Sequence, residues 1–136
     1  MQSSANPPQS VTNAFVRALN RQDVEGMVAL MSPGHRFADS LGNVVEGREK
    51  MRAGWIGYFK IVPDYTLAIE ETFTNGSVMI LLGVAQGTYT TTGNLIPENH
   101  WHSPIALRAF VEDGLIAEWR VYADNDPIRK LMAKSD

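Results

Sequence analysis

Apolar residues in the first half of the chain recur at helical spacing. Val11, Ala14, Phe15, Ala18 and Leu19 follow Ser10 and predict an amphipathic helix over about residues 10–20. Val24, Met27, Val28 and Met31 repeat the pattern behind Asp23, a fitting N-cap, and Pro33-Gly34 stops that second helix. His35 to Asp39 reads as a short strand, and Leu41-Gly42-Asn43 turns the chain. Met51, Trp55, Phe59 and Val62 then place a third helix between Gly47 and Pro63.

The period changes to two in the second half. Tyr65, Leu67, Ile69 and Phe73 alternate up to the hairpin signal Asn75-Gly76, and Ser77 to Thr90 continues as a long strand. After a turn at Gly93-Asn94, His100 to Val111 and Leu115 to Ala123 flank the tight turn Glu112-Asp113-Gly114. Asp126-Pro127 opens a closing helix carrying Ile128, Leu131 and Met132. Helices followed by an antiparallel meander make an α+β domain with helices on one face. So few helices over long strands predict a sheet that curls around the third helix and leaves a concave pocket.

Composition narrows the class. The chain has 136 residues, 44% of them hydrophobic, which suits one domain and leaves little room for two. We expect a leader over residues 1–8, a single domain over 9–133 and a tail over 134–136. With 12 Lys and Arg against 15 Asp and Glu, and no basic cluster, nucleic acid is not an expected partner. The absence of Cys removes thiolate nucleophiles and Cys-held zinc. No apolar run approaches the roughly 20 residues that span a bilayer, and Met1 to Pro8 lacks the layout of a signal peptide; no membrane and a cytoplasmic location are expected.

Few residues offer chemistry. Asp39 ends a strand between Phe37 and Leu41, where a carboxylate facing apolar surroundings would gain proton affinity and serve as a base; the alternative is a carboxylate capping the following turn. Met51, Trp55, Tyr58 and Phe59 share a helix face that is either core or ligand wall, with the Tyr58 hydroxyl nearer the helix end. On the long strand, Ile80, Leu82, Val84 and Gln86 share one face, and Gln86 breaks an apolar series as a polar group inside a pocket or at its mouth. Trp119, Val121 and Ala123 take the inward parity of the last strand; Glu118, Arg120 and Tyr122 take the outward one. His100-x-His102 is a metal-compatible spacing without a clear third ligand, so neither metal nor cofactor is expected. No phosphate loop, dinucleotide fingerprint or nucleophile elbow occurs.

Phe15-Val16-Arg17-Ala18-Leu19-Asn20, Asp23-Val24-Glu25-Gly26-Met27, Phe37-Ala38-Asp39, Glu46-Gly47 and Glu112-Asp113-Gly114-Leu115-Ile116-Ala117-Glu118-Trp119-Arg120 together resemble the SnoaL-like, ketosteroid-isomerase-like family of the nuclear transport factor 2-like superfamily, over about residues 9–133. The resemblance implies a cone-shaped half-barrel: a curved, mixed, mostly antiparallel sheet packed on three N-terminal helices, with a deep apolar pocket and a sheet-to-sheet homodimer. Asp39 falls where the isomerases keep their general base, and Trp55 where they keep a pocket-lining aromatic. Phe15 and Ala106 stand where they keep the tyrosine and protonated aspartic acid of the oxyanion hole, so both donors are missing. Val121 replaces the water-activating aspartate of the limonene-epoxide-hydrolase pattern. If Ala106 faces the pocket as in the family, then His100, His102 and Arg108 face it too, unless Pro104 introduces a bulge.

The expected function is an isomerase-, cyclase- or hydratase-type enzyme acting on an apolar, oxygenated small molecule. Asp39 would be acid/base, with His102 and Arg108 stabilising negative charge. The alternative is a non-catalytic binding domain using the same pocket. The fold alone does not choose between them.

Overall fold

The computed structural model describes residues 6–134. The expected leader up to residue 5 and tail from residue 135 lie outside the described residues. In chain order the elements are α1 (Pro8–Asn20), α2 (Val24–Ala29), β1 (Met31–Ala38), β2 (Val44–Glu46), α3 (Arg48–Ile61), β3 (Thr66–Asn75), β4 (Val78–Thr88), β5 (His100–Glu112), β6 (Leu115–Ala123) and α4 (Asp126–Lys134). A short 3-10 turn, Pro97–Asn99, precedes β5.

The strands form one sheet in the order β2-β1-β6-β5-β4-β3. Only β1 and β6 run parallel; every other neighbouring pair is antiparallel. The α+β class and the mixed sheet are therefore as expected, but the half-barrel is not. The sheet is open, with β2 and β3 as its two edges, neither closed into a barrel nor strongly curled. Wrapping is unnecessary because α1 lies across β3 to β6 while α3 packs on β1 and β2. Phe15 and Leu19 of α1 join Met79, Leu81, Leu107 and Trp119 of the sheet in one buried cluster. Phe15 and Trp119 meet with ring centroids 4.6 Å apart.

Two local expectations also change. Met31 does not close the second helix; it begins β1, which runs through Pro33-Gly34. The β1–β6 register shifts between Met31 and Arg36, and that irregularity accommodates a proline without a ladder N–H. Val44–Glu46, which the sequence pattern left between the turn and the third helix, pairs with β1 as an edge strand.

The exit of α1 is tied to the sheet by polar side chains. Asn20 exchanges two hydrogen bonds with the Leu67 backbone, at 2.8 and 3.0 Å, and so occupies groups that the edge strand β3 would leave open. Gln22, in the left-handed region at φ 59, donates to the Tyr65 carbonyl at 2.7 Å. These bonds place Tyr65 at the start of β3, beside α3. Among the described residues no helix is long and apolar enough to cross a membrane.

Candidate functional site

A cavity of about 340 Å³ lies between α3 and the sheet. Met51, Gly54, Trp55 and Tyr58 supply the helix side, and Phe37, Ala85, Ile105, Val121 and Ala123 the strand side. Tyr65, Trp101 and Ser103 line it near the start of β5, while Asp39, Ser40, Val45, Asp124 and Asn125 come from the loops around it. Position within the fold explains the helix side: offsets of three and four bring Met51, Trp55 and Tyr58 over one face.

The aromatic wall is continuous. Trp55 meets Tyr58 nearly at a right angle, with centroids 6.1 Å apart, and Tyr58 meets Tyr65 the same way at 5.1 Å. Tyr65 continues to Trp101 at 6.0 Å, and Phe37 abuts Trp55 edge-on at the same distance. The indole N–H groups of Trp55 and Trp101 are buried without a hydrogen-bond partner among the described residues. The Tyr58 and Tyr65 hydroxyls also lack one there. Burial, reinforced for Tyr58 by the neighbouring Tyr65, pushes both phenols above their ordinary range, so they stay neutral and able to donate.

Asp39 borders this cavity, yet its carboxylate is engaged in the turn. One oxygen accepts the backbone N–H groups of Leu41 and Asn43, each at 2.9 Å, and the other accepts from the Asn43 side chain at 3.2 Å. Burial opposes ionisation, but these bonds, Asn43 foremost, outweigh it and hold the carboxyl below the usual carboxylate range. That is the capping geometry, and the opposite of the raised proton affinity that a resting general base requires.

The other expected residues divide between wall, core and far face. Met51, Trp55, Tyr58 and Val121 line the cavity with Asp39. Phe15, Phe59 and Trp119 are core: Phe59 packs on Trp55 at 5.5 Å and the Phe15–Trp119 pair is fully enclosed. Leu82, Val84, Gln86, His100, His102, Ala106 and Arg108 stand on the opposite face of the sheet, a reversal of the expected parity. The helix-covered face carries Met79, Leu81 and Ala85 on β4 and Trp101, Ser103, Ile105, Leu107, Ala109 and Val111 on β5.

The far-face residues have partners of their own. Arg108 donates to Glu118 at 2.8 Å, and Arg120 approaches the same carboxylate at 3.8 Å. His100 Nδ1 lies 3.2 Å from the Thr88 hydroxyl, which in turn donates to Asp64 at 2.7 Å. His102 is exposed opposite Gln86. Among the described residues no group of three or more His, Cys, Asp or Glu is placed to hold a metal.

Sequence reasoning missed Trp101, Ser103 and Ile105, although β5 carried the signal. Its odd positions run Trp101, Ser103, Ile105, Leu107, Ala109, Val111, apolar but for one serine, whereas its even positions include two histidines, a proline and an arginine. Gly87 points the same way, because a side chain there would collide with Val62. Asn125 and Ser40 carried no signal: they meet only through the fold, where Asn125 Nδ2 donates to Ser40 Oγ at 2.7 Å.

The family model of the SnoaL-like domain matches residues 12–119. The chain belongs to this SnoaL-like family. Its structure is similar to that of an uncharacterized cystatin-fold protein of Novosphingobium aromaticivorans, at 21% identity and TM-score 0.75, covering 86% of this chain and 98% of that one. It is also similar to a candidate SnoaL-like polyketide cyclase of Shewanella denitrificans, at 14% identity and TM-score 0.80, covering 93% and 97%. The candidate polyketide cyclase IdmH of Streptomyces antibioticus follows at 19% identity and TM-score 0.77, covering 94% and 99%. No functionally curated protein matches the chain in sequence.

Proposed function

We propose that this SnoaL-like protein binds a mainly apolar, oxygen-bearing small molecule between α3 and the sheet. The observation that carries the reading is the cavity itself: a wall of Phe37, Trp55, Tyr58, Tyr65 and Trp101 with two neutral, unpartnered phenol hydroxyls among mostly apolar surface. Such walls gain from excluding water, and the few polar groups orient the guest. The polyketide named for two of the structural relatives belongs to the same chemical class, a carbon skeleton bearing several oxygens. Native mass spectrometry of gently purified protein, followed by a metabolite-extract soak, is expected to retain a compound of this kind. Recovery of only nucleotides or metal, with no binding of apolar oxygenated compounds, would defeat the assignment.

Acid–base catalysis by Asp39 is the second reading, favoured by its place on the cavity wall. It requires the carboxylate to leave the turn or to act from within it at low proton affinity. Turnover of a retained ligand that is lost in Asp39→Asn while binding persists would establish it. His102 and Arg108 support this reading poorly, since neither lines the cavity.

The same proposal includes a cytoplasmic protein that pairs with a second copy through the face of the sheet opposite the helices. Ile80, Leu82, Val84, Ala106 and Phe110 are all half-buried there and Tyr122 is exposed, interleaved with the Arg108–Glu118–Arg120 cluster. An apolar patch edged by charges is the composition of a homodimer contact.

A further inference from the structure

The charges around the cavity are all of one sign. Asp39 and Asp124 are its only ionisable carboxylate or basic lining residues, and no Lys, Arg or His lines it among the described residues. Both sit at the solvent-facing end, Asp39 half-buried and Asp124 exposed, whereas Tyr65 inside is 7% exposed with an unpartnered hydroxyl. The positive end of α4 also lies nearby, but Asp124 already accepts its first N–H, from Asp126, at 3.0 Å. An anion entering here would meet two carboxylates and no cation.

The inner wall favours the opposite charge. Trp55, Tyr58 and Tyr65 meet at interplanar angles of 86° and 83°, so their π faces point in more than one direction, as a box around a compact cation requires. Trp101 extends it. Aromatic faces attract ammonium groups through the ring quadrupole, and the attraction strengthens when water is excluded.

We propose that the ligand of this cavity is a cation, a protonated tertiary or a quaternary amine seated against Trp55, Tyr58, Tyr65 and Trp101 with Asp39 and Asp124 balancing its charge at the mouth. This rests on the small-molecule reading above and narrows it to one charge class. A quaternary ammonium has no N–H to satisfy in such a seat, and a protonated tertiary amine has a single one, for which the tyrosine and serine oxygens of the lining are acceptors.

Three probes of matched size test it: 3-hydroxyphenyltrimethylammonium, its neutral isostere 3-tert-butylphenol, and the anion 3-hydroxybenzenesulfonate. Of the chain's 3 tryptophans, Trp55 and Trp101 line the cavity, so intrinsic fluorescence reports binding, with calorimetry as a check. The ammonium probe is expected to bind about tenfold more tightly than the phenol at low salt, equivalent to two exposed-site cation–π contacts, and the sulfonate most weakly. The preference is expected to shrink with added salt and, severalfold, in Asp124→Asn, which keeps the oxygen that accepts the Asp126 N–H. The urea unfolding midpoint of that variant, compared with wild type, controls for folding. Equal or tighter binding of the neutral isostere, or of the sulfonate, overturns the cation assignment and leaves the small-molecule reading standing. Failure of all three probes to bind overturns both.

Discussion

Asn125 and Ser40 join the segment after β6 to the loop after β1 through a single 2.7 Å hydrogen bond, and both residues line the cavity. The bond spans two segments far apart in sequence that share no ladder at this point, and so ties together two parts of the cavity lining. Asn125→Ala is expected to raise ligand association and dissociation rates together by severalfold, with about 1 kcal/mol of stability lost, the ordinary net worth of one such bond. Stopped-flow tryptophan fluorescence with 3-tert-butylphenol measures the rates. Unchanged rates would reduce the contact to a structural tie.

Asp39 holds its turn as an ionised acceptor. Asp39→Ala is expected to cost about 1 kcal/mol, since three hydrogen bonds are lost in a solvent-screened loop, and Asp39→Asn to cost less because one oxygen still accepts. Its pKa is lowered on folding from an ordinary 3.8, so its contribution is present above that value and disappears as pH falls through the lower folded value. Urea titrations between pH 5 and about pH 2.5 measure this. A pH slope in Asp39→Asn identical to wild type would remove the carboxylate from the account.

His35 also costs stability as pH falls, but over a higher pH range. It is fully buried, with Nδ1 2.7 Å from the Ile116 carbonyl and Nε2 without a partner among the described residues. Burial lowers its pKa from 6.5, against smaller opposing effects from the Ile116 bond and from Glu118. Below pH 6.5 the unfolded chain binds a proton that the folded chain refuses, so stability falls with pH until the folded value is passed; above 6.5 the group contributes no slope. His35→Asn, which keeps a donor near Nδ1, is expected to flatten the midpoint change between pH 7 and about pH 5 in denaturant titrations. A wild-type midpoint that does not move in that range contradicts the assignment.

Element types were legible because local chemistry specified them: Asp23 caps α2 by accepting the Gly26 N–H at 3.0 Å, and Asp113-Gly114 takes positive φ at the β5–β6 turn. Strand facing was less legible. Both faces of β4 are apolar, with Leu81 fully buried beside a half-buried Leu82, so alternation on that strand could not choose a side. The family position of Ala106 then carried the wrong parity onto β5. Asp39 left two readings open from its strand-end position, a pocket-facing base and a cap on the following turn; it lies beside the cavity, and its oxygens serve the turn through Leu41 and Asn43.

Phe15, which the family resemblance set against an oxyanion-hole tyrosine, packs on Trp119 and is not among the residues lining the cavity. Phe15→Tyr is therefore expected to bury an unpartnered hydroxyl, costing about 1–3 kcal/mol, without altering ligand affinity. Phe15→Ala is expected to cost about 3–5 kcal/mol through the cavity it leaves. Thermal and urea unfolding give the stabilities, and fluorescence titration the affinity. A tighter ligand in Phe15→Tyr would show that this ring reaches the site.

The sheet's far face offers the last test. Leu82 and Ala106 are register partners at its centre, with Tyr122 next along the ladder; the first two are half-buried and Tyr122 is exposed. In the proposed dimer an identical copy covering this patch satisfies two-fold self-complementarity, with the Glu118–Arg108 and Glu118–Arg120 pairs beside the contact. Sedimentation at micromolar concentration is expected to show a species of two chains. Leu82→Glu is expected to weaken it by more than about tenfold, because a carboxylate buried at the contact would lack a partner. The inner face is untouched by that change, so the phenol probe should bind the resulting monomer as before. One sharp 15.1 kDa species for the wild-type chain would instead leave this face to solvent.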